Sequence, residues 1–339
     1  MPMKYVLIIF LFIAELQSVC DFGPVSKKIG RVDVVYTWVD GADPLWKLSL
    51  RETILGHKHH LPSEALAKSR FRNHDELKYS LRSLWKHAAF VNHIYIVTFG
   101  QKPKWLKAHP KITIVDHQEI FTDQADLPTF NSQAIEANLH HIPNLKECYV
   151  YFNDDVFLGD DAIARDFFSE NGSPKFFIAS WDAPEGQIMA SDDTLNASWK
   201  NTNTLLNRLF GYKKRKALEH APFAFRKSQQ MALERCFQPV FKKVSGHAFR
   251  SSHDFVITNG FSQYLLNEYG LAKRSKIQCL VVGLKDNLEA NKQELEAVMR
   301  VRPRTFCIED DMTDDNAEQE IILNAFFEAY FPEKAPWEI

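Results

Sequence analysis

Two adjacent carboxylates, Asp154-Asp155, follow the run Tyr149-Val150-Tyr151-Phe152-Asn153, and Val156-Phe157-Leu158-Gly159 follows them. The run is aromatic and β-branched, the composition of a buried strand. Acids at the carboxyl end of a core strand are costly to desolvate unless a positive charge sits between them. A divalent cation carrying a phosphorylated ligand would meet that need. The plainer alternative is an Asx-rich turn closing an ordinary strand, and this stretch alone does not separate the two.

Other polar clusters bear on the choice. Thr305-Phe306-Cys307-Ile308-Glu309-Asp310-Asp311 is a second strand-like run that ends in acids. Arg72-Asn73-His74 precedes a helix with Asp75 and Glu76 in its first turn, a natural place to hold an anion. His220-Ala221-Pro222 lies in an aromatic loop that the proline keeps extended. Arg250 precedes Ser251 and Asp254, which read as a capping box for a helix running to about Tyr269. Glu136 and His140, at i and i+4, read as a solvated pair, and Lys213-Lys214-Arg215-Lys216 as a solvated face. His57, His59 and His60 read as a surface loop.

Strands are expected over 32–38, 93–98, 111–116, 149–153 and 176–179, with helices between several of them. This alternation over the first half predicts an α/β fold with a mixed, Rossmann-like sheet flanked by helices, and a more helical second half. The loop after the first strand, with Asp40-Gly41 and Asp43-Pro44, falls where α/β folds bind nucleotides. No GxGxxG follows it, so the usual dinucleotide fingerprint is absent. One catalytic domain over 30–332 is expected.

The chain has 339 residues, 45% hydrophobic and 25% charged, with a net charge of -2. These values suit a globular enzyme and leave no basic field for nucleic acid. Residues 1–20 have the layout of a signal peptide or short anchor: Lys4, an apolar run, then Ser18-Val19 before Cys20-Asp21. This predicts the secretory lumen, secretion, or membrane association through the leader. With Cys20 at the cleavage point, Cys148, Cys236, Cys279 and Cys307 remain, with three pairings open.

Four blocks taken in order resemble the Stealth family. They are Asp33-Val34-Val35-Tyr36-Thr37-Trp38-Val39-Asp40-Gly41; a block over 70–159 with Asp75-Glu76-Leu77-Lys78-Tyr79-Ser80, Leu127-Pro128-Thr129-Phe130-Asn131-Ser132 and Tyr151-Phe152-Asn153-Asp154-Asp155; the region of His220-Ala221-Pro222 and Arg250; and Phe306-Cys307-Ile308-Glu309-Asp310-Asp311. The chain departs from the family at Asn73-His74, commonly Asp-Asn, and at Glu309, usually Asn.

The resemblance implies a fold related to GT-A glycosyltransferases. It implies metal-dependent transfer of a sugar-1-phosphate from a nucleotide sugar such as UDP-GlcNAc to a hydroxyl of a glycan or glycoprotein acceptor. A GT-A-type glycosyltransferase and an inactive sugar-binding relative are the alternatives. On this reading Mg²⁺ or Mn²⁺ is held by Asp154 or Asp155 together with Asp310. Arg250 clamps the transferred phosphate, and His220 takes the acceptor's proton or donates to phosphoryl oxygens. Asp33 is a further catalytic candidate; Arg72, Asp40 and Asn153 are expected to contact substrate. A homodimer is compatible with this reading, and bacterial capsule relatives place the work on the cytoplasmic face of a membrane.

Overall fold

The computed structural model describes residues 20–23, 28–57 and 61–339. The expected leader therefore lies outside the described residues except for Cys20, as do His59 and His60. No helix among the described residues is long and apolar enough to cross a membrane.

The strands are β1 (Val32–Thr37), β2 (Val91–Thr98), β3 (Ile112–Asp116), β4 (Cys148–Asn153), β5 (Val156–Leu158), β6 (Lys175–Asp182), β7 (Lys216–Leu218), β8 (Phe223–Arg226), β9 (Lys273–Ser275), β10 (Cys279–Leu284) and β11 (Thr305–Asp310). The main sheet runs β3-β2-β1-β4-β8; its first four strands are parallel and β8 is antiparallel on the edge of β4. Its central strands are buried on both faces, which is why they read as continuous apolar runs. Val35, Tyr95, Tyr149 and Tyr151 pack on one face, and Val34, Ile94, Val150 and Phe152 on the other, following the strand period of two.

The second half is helical as expected, and it also carries two small sheets, β10-β11-β5 and β7-β6-β9. β6 and β11 cover the runs read as strands in the sequence, whereas β5, β7 and β9 are three residues long, too short for an unambiguous pattern. Phe157 on β5 stacks on Phe306 of β11, and Phe327 and Phe331 pack against this pair. Gly159 follows β5 where a Cβ would stand 2.2 Å from the Pro303 carbonyl oxygen, so only glycine lets the two segments meet.

Several boundaries differ from the sequence expectation. Residues 251–256 are not helical, and the helix proper is Ser262–Glu268. Asp254 does accept from the Ser251 N–H at 2.9 Å, but its carboxylate is also engaged by His247 and Asn131, which holds the segment as a loop. Buried Trp337 and Glu338 carry the fold past residue 332; Arg82 grips Glu338 through Nε and Nη2. Cys20 is disulfide-bonded to Cys236, so a leader ending at residue 20 would remove a half-cystine that the fold uses. Cys148, Cys279 and Cys307 are free.

Candidate active site

The chain leaves the main sheet at Asp154-Asp155. β4 pairs with β1 as far as Thr37↔Asn153, and β5 then pairs antiparallel with β11 in another sheet. The two aspartates form the turn between the sheets and also line a cavity of about 680 Å³. The sequence alternatives of turn and chemical site thus both hold. The antiparallel ladder continues through Ile308 N–H donating to the Asp155 carbonyl at 3.0 Å, which brings Glu309 and Asp310 into the same cavity.

Of the nine residues singled out in the sequence, Arg72, Asn153, Asp154, Asp155, His220, Arg250 and Asp310 line this cavity. Asp33 and Asp40 do not. Asp33 is fully buried at the start of β1, at the opposite end of the strand from the cavity, where it accepts from Asn92 Nδ2 at 2.7 Å and Lys146 N–H at 2.8 Å. Two such donors satisfy a buried carboxylate and fit a structural tie rather than catalysis. Asp40 closes the turn after β1 by accepting from Ala42 N–H at 2.9 Å.

His220 sits two residues after β7. Its Nδ1 bonds the Glu309 carboxylate, and its Nε2 lies 3.1 Å from Asn153 Nδ2. Tyr151 donates to Asn153 Oδ1 at 2.5 Å, which turns the amide nitrogen toward the ring. Burial lowers the His220 pKa, but the Glu309 bond and the Asp155 charge outweigh it and raise the pKa to about 9. The Asn153 N–H pulls the other way, because it favours a lone pair on Nε2. Any ligand that neutralises Asp155 removes one support for the proton and leaves the amide's preference in place.

The carboxylates crowd one another. Burial pushes Asp154 well above the usual range, and Asp155 and Glu76 add to it. Burial also raises Asp155, and lifts Glu76 to about 7. Glu76 escaped notice because an acid in the first turn of a helix is explained by the helix dipole alone. Glu136, expected in a solvated pair with His140, instead lines the cavity and accepts from Thr258 Oγ1 and, at 3.3 Å, from Tyr151. His140 faces the other way, toward Glu234 at 2.8 Å.

Three arginines line the cavity. Arg250 donates from Nη2 to Ser132 Oγ at 2.8 Å, on a loop held by Asn131 Nδ2 bonding Asp254 and the His247 carbonyl. Burial and the Arg250 charge lower Arg70 to about 9. Arg72 is ion-paired to Asp310 at 2.5 Å and to Asp315 at 2.8 Å. Arg70 Nε, Arg72 Nη2, Arg250 Nε, Asp155 Oδ1 and Asn259 Oδ1 are all buried without a hydrogen-bonding partner in the protein. Unmade bonds of this kind cost about 1–3 kcal/mol each, more for charged groups, and mark groups that meet a ligand.

The donor set suits a hard divalent ion at Asp154 and Asp155. Oxygen ligands dominate, and Asp155 Oδ1 is unclaimed. Asp155, His220 and Cys307 also converge, but a soft sulfur ligand suits zinc or copper rather than a hard ion of this kind. Asp310 shares the cavity, yet its Oδ2 accepts from Arg72 and, at 3.2 Å, from His74, and its Oδ1 from Met312 N–H. The departure at His74 thus supplies a partner to Asp310, and the departure at Glu309 supplies one to His220.

Three conserved regions of the Stealth proteins match this chain: region 1 over residues 30–58, region 2 over 70–176 and region 4 over 296–339. The chain belongs to the Stealth family. The capsular polysaccharide phosphotransferase LcbA of Aeromonas hydrophila is 34% identical, over 89% of this chain and 84% of its own. Exopolysaccharide phosphotransferase SCO6023 of Streptomyces coelicolor is 39% identical over 91% of this chain, and CpsY of Mycobacterium tuberculosis 35% over 92%. This chain spans 52% of the first and 59% of the second. The crystal structure of galactosyltransferase LgtC with donor and acceptor sugar analogues aligns with a TM-score of 0.42 at 9% identity, over 88% of this chain and 95% of that one.

Proposed function

We propose that the protein transfers a hexose- or N-acetylhexosamine-1-phosphate from a nucleotide sugar such as UDP-GlcNAc to a hydroxyl of a glycan acceptor, releasing UMP. One observation carries this reading: unpartnered arginine N–H groups and an unpartnered aspartate oxygen share a cavity with a histidine oriented by a carboxylate. Phosphoryl transfer asks for that combination of anion clamp, charge neutralisation and proton acceptor. The names of the family relatives point the same way.

Mg²⁺ or Mn²⁺ would be held by Asp154 and Asp155, with Asp310 joining on release from Arg72, and when bound would neutralise diphosphate oxygens. Arg250 and Arg70 hold the transferred phosphoryl group, where a planar guanidinium fork suits two oxygens. Arg72 engages the donor phosphates. The acceptor hydroxyl attacks the β-phosphorus and its proton passes to His220 Nε2. The bond from that phosphorus to the oxygen bridging to the α-phosphate breaks, and the electron pair leaves on UMP. Glu309 steadies the imidazolium that forms, while Asn153 and Tyr151 fix the ring.

The test is to supply the purified protein with UDP-GlcNAc, Mn²⁺ and a set of sugar acceptors, and to follow the nucleotide released. UMP is expected. UDP would mean attack at the anomeric carbon and glycosyl transfer instead. Release of neither, with or without acceptor, would leave a sugar-binding relative.

A further inference from the structure

The cavity has a second wall that the phosphoryl chemistry does not use. It is built from Trp181 on β6, Ala217 and Leu218 on β7, Leu195 and Trp199 on the helix Thr194–Phe210, and Asn259. Among the described residues, no ionised side chain from these segments lines the cavity; its arginines, Arg70, Arg72 and Arg250, come from other segments. The main sheet order puts β1 on one side of β4 and β8 on the other, and β7, which precedes His220, pairs with β6 in a separate sheet.

The neutral wall is also unusually apolar where it meets solvent. Trp181 is 54% exposed although it lines the cavity, and Leu195 is 40% exposed. Ile188 and Met189 stand out from the segment between them, at 42% and 59%. An indole ring left this open leaves apolar surface in water that a ligand with an apolar face can cover. Asn259 Oδ1 supplies the second observation: it is buried, lines the cavity and has no partner in the protein, so it waits for a donor. A pyranose ring offers both features, an apolar C–H face to lie on the indole and hydroxyls to donate to the amide oxygen. These segments themselves line the cavity with no charged side chain, so they offer a diphosphate no ion pair of their own.

We infer that this wall is the acceptor site and takes an uncharged stretch of a polysaccharide, with Trp181 as its stacking platform and Asn259 as a hydroxyl acceptor. The inference rests on the sugar-phosphate transfer proposed above. β7 leads to His220 and pairs with β6 through Ile178↔Leu218 and Asp182↔Lys216. The platform is thus on the strand paired with the one that leads into the proton acceptor two residues later, which ties the two parts of the site together.

The experiment compares wild type, Trp181→Ala and Trp181→Phe by two readouts: initial rates with UDP-GlcNAc and an acceptor glycan, and binding to a printed glycan array. Trp181→Ala is expected to raise the acceptor KM about tenfold, with the donor KM and Tm unchanged, and Trp181→Phe to restore most of it. Array binding by wild type should fall to background in Trp181→Ala, and this readout stands even if UDP-GlcNAc proves not to be the donor. A raised donor KM with an unchanged acceptor KM would assign the wall to the nucleotide and overturn the inference. So would absence of array binding by wild type, or equal binding by Trp181→Ala.

Discussion

Asn153 Nδ2 faces His220 Nε2 across 3.1 Å, while Glu309 holds the opposite ring nitrogen. The amide comes from the end of β4 and the imidazole from the loop that joins β7, in a small sheet, to β8, the neighbour of β4 in the main sheet. The histidine is thereby contacted at both nitrogens, and the one lone pair that can take a proton, on Nε2, is the one the Asn153 amide faces. Glu309 and Asp155 set how readily that proton is kept.

Replacing Glu309 with Gln removes the largest support for the proton and lowers the His220 pKa. The acid limb of the kcat–pH profile is expected to move to lower pH. The plateau should fall about 10–100-fold, because the imidazolium formed on transfer loses its partner. An unmoved limb in Glu309→Gln would remove His220 from the role of proton acceptor.

Glu76 gives the protein a pH dependence of unusual sign. Burial raises its carboxyl from 4.5 to about 7, so the folded state binds the proton more tightly than the unfolded chain. Stability from this group is fully present below about 4.5 and falls as pH rises to about 7. Thermal melts across this window should show wild type losing on the order of 2 kcal/mol relative to Glu76→Gln. Mn²⁺ should restore part of that loss at alkaline pH by neutralising Asp154 and Asp155.

Arg250→Lys keeps the charge but not the planar fork. A loss of about 10–100-fold in kcat/KM is expected with Tm unchanged within error. Rates within twofold of wild type would show that Arg250 acts through charge alone or not at all.

Arg82 binds Glu338 through two nitrogens, Glu328 at 3.1 Å and the Phe331 carbonyl at 2.7 Å, all on the C-terminal segment. Arg82→Ala leaves Glu338 buried without its partner and should cost about 3–5 kcal/mol in urea unfolding. Deleting residues 333–339 should be comparably damaging, since it also removes the buried Trp337.

The parallel strands and the Asp154-Asp155 signal were legible in the sequence because a buried strand leaves a local mark: apolar, β-branched residues bounded by acids or turns. The four blocks likewise carried Arg72, Asn153, His220, Arg250 and Asp310 to one cavity. Asp33 and Glu136 were misread for the same reason in reverse. Pattern says which residue types border an element, but not which end of a strand meets the cavity or which face of a short helix does. Glu136 lies beside an apolar stripe and faces Tyr151 and Thr258 only because other elements close over it. The Cys20–Cys236 pairing joins positions 216 residues apart, which spacing cannot choose.

The sequence by itself therefore determined the α/β core, the acid-ended strands and the family, all of which rest on local composition and ordered motifs. Only the tertiary structure decided that the Asp154-Asp155 turn is where the chain changes sheets. That switch sets Glu309 and Asp310 of β11 beside the pair, and leaves Asp155 with an oxygen that nothing in the protein engages. Which groups end up unpaired depends on how separate sheets meet, and no short-range pattern records it.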